Sequence, residues 1–149
     1  MDCKQNSITM NKLIVVNKGH AGVGKSSSIK LVFEKLKALP SSVVNVIHDD
    51  GDITATIEVN GTLVGIESQG DPNSRMFKTL PELVVRGCEI IVCACRTSGA
   101  TKEIVSSLKK EGFDIIWTSN PHNKNLSKEL NSMWANLVVD IIERRVNGI

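Results

Sequence analysis

A chain of 149 residues, 41% apolar and 23% charged, suits one soluble globular domain: it is long enough to bury a core and too short for two comfortable ones. The formal net charge is +2, with Lys and Arg spread along the chain, and the only aromatics are Phe33, Phe77, Phe113, Trp117 and Trp134. Both features leave a nucleic-acid face unsupported, because phosphate tracking needs clustered cations and base stacking needs more rings.

No apolar run approaches the roughly 20 residues that cross a bilayer, so no membrane span is expected. Met1 to Asn11 is polar and lacks the apolar centre of a secretion signal. It reads as a polar tail ahead of one domain over residues 12–149, in a cytoplasmic protein. The cysteines Cys3, Cys88, Cys93 and Cys95 lack the paired short spacings of zinc or redox motifs. Cys93 and Cys95 would share one face of a strand as buried free thiols, a pattern that suits a reducing compartment.

Short apolar runs alternate with segments of helical period, the pattern of an α/β domain with a mostly parallel sheet. Leu13 to Asn17 reads as a buried strand, followed by a glycine-rich loop and then a helix from Lys25 to Leu39, stopped by Pro40, with Ile29, Val32, Phe33 and Leu36 at helical spacing. Val43 to Ile47 is a second strand running into the acidic turn His48-Asp49-Asp50-Gly51-Asp52. Ile53 to Val59 and Leu63 to Glu67 are joined by Asn60-Gly61, a strong signal for a two-residue antiparallel hairpin, since both residues tolerate positive φ.

After the hairpin, Ser68 to Arg75 is a polar loop without an apolar anchor, free to meet a ligand. Thr79-Leu80-Pro81-Glu82 has the spacing of a capping box and opens a short helix that Gly87 closes. Glu89 to Cys95 is a strand, Ile104, Val105 and Leu108 mark a helix closed by Gly112, and Asp114 to Thr118 is a further strand. The chain finishes in a long amphipathic helix from Ser127 to Val146, with Leu130, Met133, Trp134, Leu137, Val138, Ile141 and Ile142 on one stripe. That stripe packs on the sheet, or alternatively forms a homodimer interface.

Gly19-His20-Ala21-Gly22-Val23-Gly24-Lys25-Ser26 matches the motif Gly-x-x-x-x-Gly-Lys-Ser/Thr, and each residue type has its own physical task. Glycines let the backbone curl so that several N–H groups point inward as an anion nest, and the following helix adds its positive end. Lys25 would reach the β and γ phosphates, and the Ser26 hydroxyl would bind Mg²⁺. Ser27, next in line, completes the set of nucleotide-binding candidates. A turn that merely joins strand to helix would not call for the Lys-Ser pair.

With this motif between a buried strand and an amphipathic helix, the chain resembles the P-loop NTPase superfamily. The resemblance implies a three-layer α/β/α sandwich whose mostly parallel sheet carries one antiparallel hairpin strand, with the nucleotide at the C-terminal edge of the sheet. It also implies an acid at a strand end that holds Mg²⁺, for which Glu67 is the first candidate and Asp71 the competitor. Glu67-Ser68-Gln69-Gly70 resembles the Asp-x-x-Gly motif of the GTPase branch, whose glycine amide senses the γ phosphate, which would be Gly70 here.

The GTPase likeness has departures: Glu67 stands in place of Asp, Asp71 stands where a water-orienting Gln often follows, and Asn123-Lys124-Asn125-Leu126 lacks the acid that pairs with guanine. ATP is therefore the expected nucleotide and GTP the other candidate. Small-molecule kinases of the superfamily place acids after the second strand to hold an acceptor hydroxyl, a role open to Asp49, Asp50 and Asp52. Arg75 and Arg96 could stabilise charge on the transferring phosphoryl group. Thr97, Ser98, Ser119 and Asn120 share that edge. The expected activity is Mg²⁺-dependent hydrolysis of a nucleoside triphosphate or phosphoryl transfer to a small acceptor; the alternative is a nucleotide-dependent switch or regulatory module.

Overall fold

The computed structural model describes residues 11–148, so the expected tail, apart from Asn11, and Cys3 lie outside the described residues. In chain order the elements are β1 (Lys12–Lys18), α1 (Lys25–Lys37), β2 (Val43–Asp49), β3 (Ile53–Val59), β4 (Thr62–Glu67), α2 (Met76–Val85), β5 (Ile90–Cys95), α3 (Ala100–Ser107) with a 3-10 turn (Leu108–Glu111), β6 (Phe113–Thr118) and α4 (Ser127–Asn147). One sheet carries all six strands in the order β2-β3-β4-β5-β1-β6.

β1 runs parallel to β5 and β6, and β4 runs parallel to β5. β3 alone is antiparallel to both of its neighbours. Its reversal comes from Asn60 and Gly61, at φ 47° and 83°, the paired positive values whose twist matches that of a hairpin. The fold is the expected α/β sandwich with a mostly parallel sheet and one antiparallel hairpin strand.

Alternation along the strands builds the layers. Leu13 and Val15 of β1, with Ile90, Val92 and Ala94 of β5, face a core that includes Ile29, Val32, Phe33 and Leu36 of α1 and Trp134, Ala135, Val138 and Ile142 of α4. The intervening Ile14, Val16, Ile91, Cys93 and Cys95 face Met76, Leu80 and Leu83 of α2 and Val105 of α3. A strand whose residues are buried on both faces reads as an uninterrupted apolar run, which is why β1 and β5 stand out in the sequence. Cys93 and Cys95 are buried free thiols, as expected, and so is Cys88; burial pushes Cys88 up to about 12 and Cys95 to about 11.

β2 runs on to Asp49, so His48 and Asp49 of the expected acidic turn belong to the strand, and α1 ends at Lys37 rather than Leu39; the start of α2 and the stripe of α4 also differ from expectation. α2 starts at Met76, three residues before the supposed capping residue, and Thr79 lies inside it. The Arg75 N–H donates to Gln69 Oε1 at 3.0 Å and the Thr79 hydroxyl is engaged by Glu67, so tertiary partners replace the local box. In α4 the expected stripe is too wide. Trp134, Val138 and Ile142 are buried, whereas Met133 is 64% and Leu137 50% exposed, because α4 packs beside α1 and presents only a narrow face.

Ile142→Ala is expected to lower unfolding free energy by about 2–5 kcal/mol, the range for an emptied core position. Met133→Ala should change it by less than about 0.5 kcal/mol, as at exposed positions. Urea denaturation of the two variants reads the difference directly.

Candidate functional site at the phosphate loop

β1 lies between β5 and β6, so the chain leaves it at the C-terminal edge of the sheet, one strand in from the β6 side. The Gly19 N–H donates to Cys95 O at 3.0 Å, which anchors the start of the loop to the end of β5. At its other end Gly24, at φ 90°, caps α1, and a Cβ there would lie 2.8 Å from Asn131 Oδ1. Both the backbone conformation and the close approach therefore demand glycine. α1 begins without a side-chain cap and with no acid in its first turn, leaving its positive end available to an anion.

Lys25 is 6% exposed, and its Nζ donates to Gly19 O at 2.8 Å and His20 O at 2.7 Å, curling over its own loop. Burial pushes its pKa below the usual 10.5; Arg96 adds to that push, while Asp71 and Cys95 oppose it. No carboxylate pairs with this ammonium among the described residues, so a bound phosphate would supply the counter-charge that the protein withholds.

The Ser26 hydroxyl donates to Asp52 Oδ1 at 2.7 Å, and the same oxygen accepts from the Ser68 hydroxyl at 2.8 Å. Burial would raise the Asp52 carboxyl, but hydrogen bonds from Ser26, Ser68 and Gln69 outweigh it and hold the group below its ordinary range. Asp52 is thus a carboxylate aimed at the expected Mg²⁺ ligand. The sequence marked it only as one acid of the turn after β2.

The expected partnership of Ser26 with Glu67 is not formed. Alternation sends Glu67 to the α2 face while Ile66 faces α1, and β5 lies between β4 and β1, which sets their axes about 10 Å apart. Glu67 is fully buried; Oε1 accepts from Thr54 Oγ1 at 2.7 Å and Thr79 Oγ1 at 2.6 Å, and Oε2 from the Gln69 N–H at 2.9 Å. Arg75 Nε lies 3.5 Å from Oε1, and Arg75 Nη1 forms a fork with Asp50 at 2.8 and 2.9 Å. Arg75 therefore ties the turn after β2 to a buried carboxylate rather than pointing at the loop. Burial opposes the charge on Arg75, but Asp50 and Glu67 outweigh it and keep the guanidinium protonated.

Asp71 and Arg96 do reach the phosphate loop's surroundings. Arg96 Nη2 lies 3.0 Å from Asp71 Oδ1, and both groups act electrostatically on Lys25. Gly70 is pressed on β5: a Cβ there would fall 2.6 Å from the Ala94 carbonyl carbon, so close packing alone accounts for the glycine. His20, Ala21, Gly22, Ser27, Asp49 and Asp50 are exposed, and Val23 is half-buried. No cluster of three or more His, Cys, Asp or Glu side chains that could hold a metal occurs among the described residues.

An asparagine network under the loop went unranked in the sequence. Asn120 Nδ2 donates to Val23 O at 3.1 Å and to Asn131 Oδ1 at 2.8 Å, while its Oδ1 accepts from the Ser28 hydroxyl and from Asn17 Nδ2. Asn120 at the end of β6 was visible as an edge residue. Asn131, inside a helix, carried no signal.

Glu67→Gln should destabilise the protein by about 1–3 kcal/mol, with neither metal nor nucleotide added, because the amide NH₂ would face the Gln69 N–H and leave that donor unsatisfied, while Arg75 keeps only Asp50 as its charge partner. Thermal denaturation in EDTA measures this, and an unchanged midpoint would exclude the structural role. Among known proteins, no family model, no curated protein and no solved structure matches the chain.

Proposed function

We propose that the chain binds a nucleoside triphosphate, ATP before GTP, together with Mg²⁺, and hydrolyses it or transfers its γ phosphoryl group to a small acceptor in the cytoplasm. The observation that carries this reading is the buried Lys25 ammonium, bonded only to loop carbonyls, at the uncapped start of α1. Structural lysines are seldom buried without a carboxylate, whereas a phosphate-binding one must be. The loop N–H groups and Lys25 would neutralise the β and γ phosphates. Ser26 would ligate Mg²⁺, and Asp52 would accept its hydroxyl proton in a hydrogen bond and orient it.

Asp71 and Arg96 stand beside Lys25 and are the groups best placed to meet a transferring phosphoryl or its acceptor. Glu67 and Arg75 serve instead to fix the loop that carries Asp71. No helix among the described residues is long and apolar enough to cross a membrane, which accords with the proposed location.

Phosphate release from ATP and Mg²⁺, measured with and without a metabolite panel, tests the reading. Lys25→Ala should abolish turnover, and Asp52→Asn should lower Mg²⁺-dependent activity by about 10–100-fold, the usual loss for a residue that orients a metal ligand. No ADP from the parent protein under any condition would sink it.

Alkaline pH supplies a second test. The depressed pKa of Lys25 means that the free protein loses this cation at a pH below 10.5, so ATP affinity should fall as pH rises through that lower value. The sign for folding is opposite: between that value and 10.5 the unfolded chain binds more protons, so stability of the nucleotide-free protein gains from Lys25 as pH rises. Lys25→Arg should move the loss of affinity to higher pH.

One observation favours a switch as the second reading. Asp52 joins Ser26 to Ser68, the first residue of the loop that Arg75 and Asp71 fasten farther along. A γ phosphate that altered the Ser26 bond would reach this loop directly. Protease sensitivity of residues 68–75 should then differ between ATP and ADP complexes; equal cleavage in both would rule the switch out.

A further inference from the structure

Lys18, the last residue of β1, and Lys102, in the first turn of α3, converge on one indole. Each Nζ lies 5.7 Å from the centroid of the Trp117 ring, so the two ammonium groups lie within twice that distance of each other. All three side chains belong to half-buried residues. Among the described residues neither lysine pairs with a carboxylate. A cation–π contact of about 0.5–1 kcal/mol holds each lysine near the ring without neutralising it. Two like charges, neither paired with a carboxylate, thus address one ring, and an anion placed between them would gain from both.

The position is separate from the phosphate loop's own cradle. Alternation puts Ile14 and Val16 of β1, and Ile115 and Trp117 of β6, on the α2–α3 side of the sheet, whereas α1 and the Ser26–Asp52 bond belong to the other side. The Arg96 N–H donates to Thr101 Oγ1 at 2.9 Å, which ties the first turn of α3 to the end of β5 and holds Lys102 beside Lys18. The buried Cys95 thiol is raised mainly by burial and drawn back down by Lys18, Lys25 and Lys102, so the charges of both Lys18 and Lys102 are felt at the end of β5.

We propose that Lys18, Lys102 and Trp117 form a second anion site at this edge, which takes the oxyanion of a small molecule, a phosphate or a carboxylate. Two unpaired ammonium groups match one dianionic group; a nucleic acid would need cations in series along a track. The site stands on its own geometry, and in a phosphoryl-transfer enzyme it is where an anionic acceptor would dock.

The test uses the full chain carrying Lys25→Ala, which silences the phosphate loop and so separates this site from nucleotide binding. Inorganic phosphate and malonate are titrated in parallel while tryptophan fluorescence is followed, with Trp117→Phe in the same background to show what Trp134 alone contributes. A saturable change with either anion that disappears in Trp117→Phe supports the site, and the tighter anion names the group. Lys18→Ala and Lys102→Ala should each weaken binding about tenfold, as loss of a charged hydrogen bond does.

Broadening of the phosphorus NMR line of inorganic phosphate by the Lys25→Ala protein, relieved by the Lys18→Ala/Lys102→Ala pair, reads the same site without altering Trp117. The proposal is overturned by three results: no saturable response to either anion, lysine variants that bind like the parent, or a single-stranded oligonucleotide that binds more tightly than either anion.

Discussion

Burying β1 and β5 on both faces is the constraint from which the rest of the structure follows. A strand covered by helices on each side can meet solvent only at its ends, so the turns that leave β1, β5 and β6 collect at one edge of the sheet. The Gly19 to Cys95 bond sets the start of the glycine-rich loop against the end of β5, and Asn120 ties Val23 to the end of β6. The loop is thus held between two neighbouring strands and ends where α1 begins. Its shape is therefore supported from both sides before any ligand arrives.

Two buried charges at this edge are treated in opposite ways. Glu67 has a guanidinium, two hydroxyls and a backbone N–H around it, the full set of partners that a buried carboxylate needs. Among the described residues Lys25 has two carbonyl oxygens as its hydrogen-bond partners, and burial depresses its pKa. The first arrangement is closed and explains the placing of Arg75 and α2. The second leaves the charge without a carboxylate among the described residues, the feature on which the proposed anion binding rests.

The glycine-rich turn between β1 and α1, the layers and the single antiparallel strand were legible because each rests on local chemistry: glycine spacing, period-two and period-3.6 apolar patterns, and Asn60-Gly61. The surroundings of Glu67 were not legible because its neighbours Thr54 and Thr79 come from other elements, and because no sequence pattern told that β5 inserts between β4 and β1. Asp52 was named only among several acids, since its selection depends on the turn that brings it to Ser26. The start of α2 was missed for the same kind of reason: Gln69, which takes up the Arg75 N–H, stands outside the helix. The width of the α4 stripe was overestimated because a sequence shows which residues are apolar, and only packing beside α1 decides how many of them are covered.

Amide chemical-shift mapping with a non-hydrolysable ATP analogue and Mg²⁺ tests the central claim most directly, since it locates the ligand rather than inferring it from turnover. The account predicts saturable shifts that are largest from Gly19 to Ser27 and at Asp52, and absent from the Lys25→Ala protein. Shifts confined to another surface, or none at millimolar nucleotide, would contradict it.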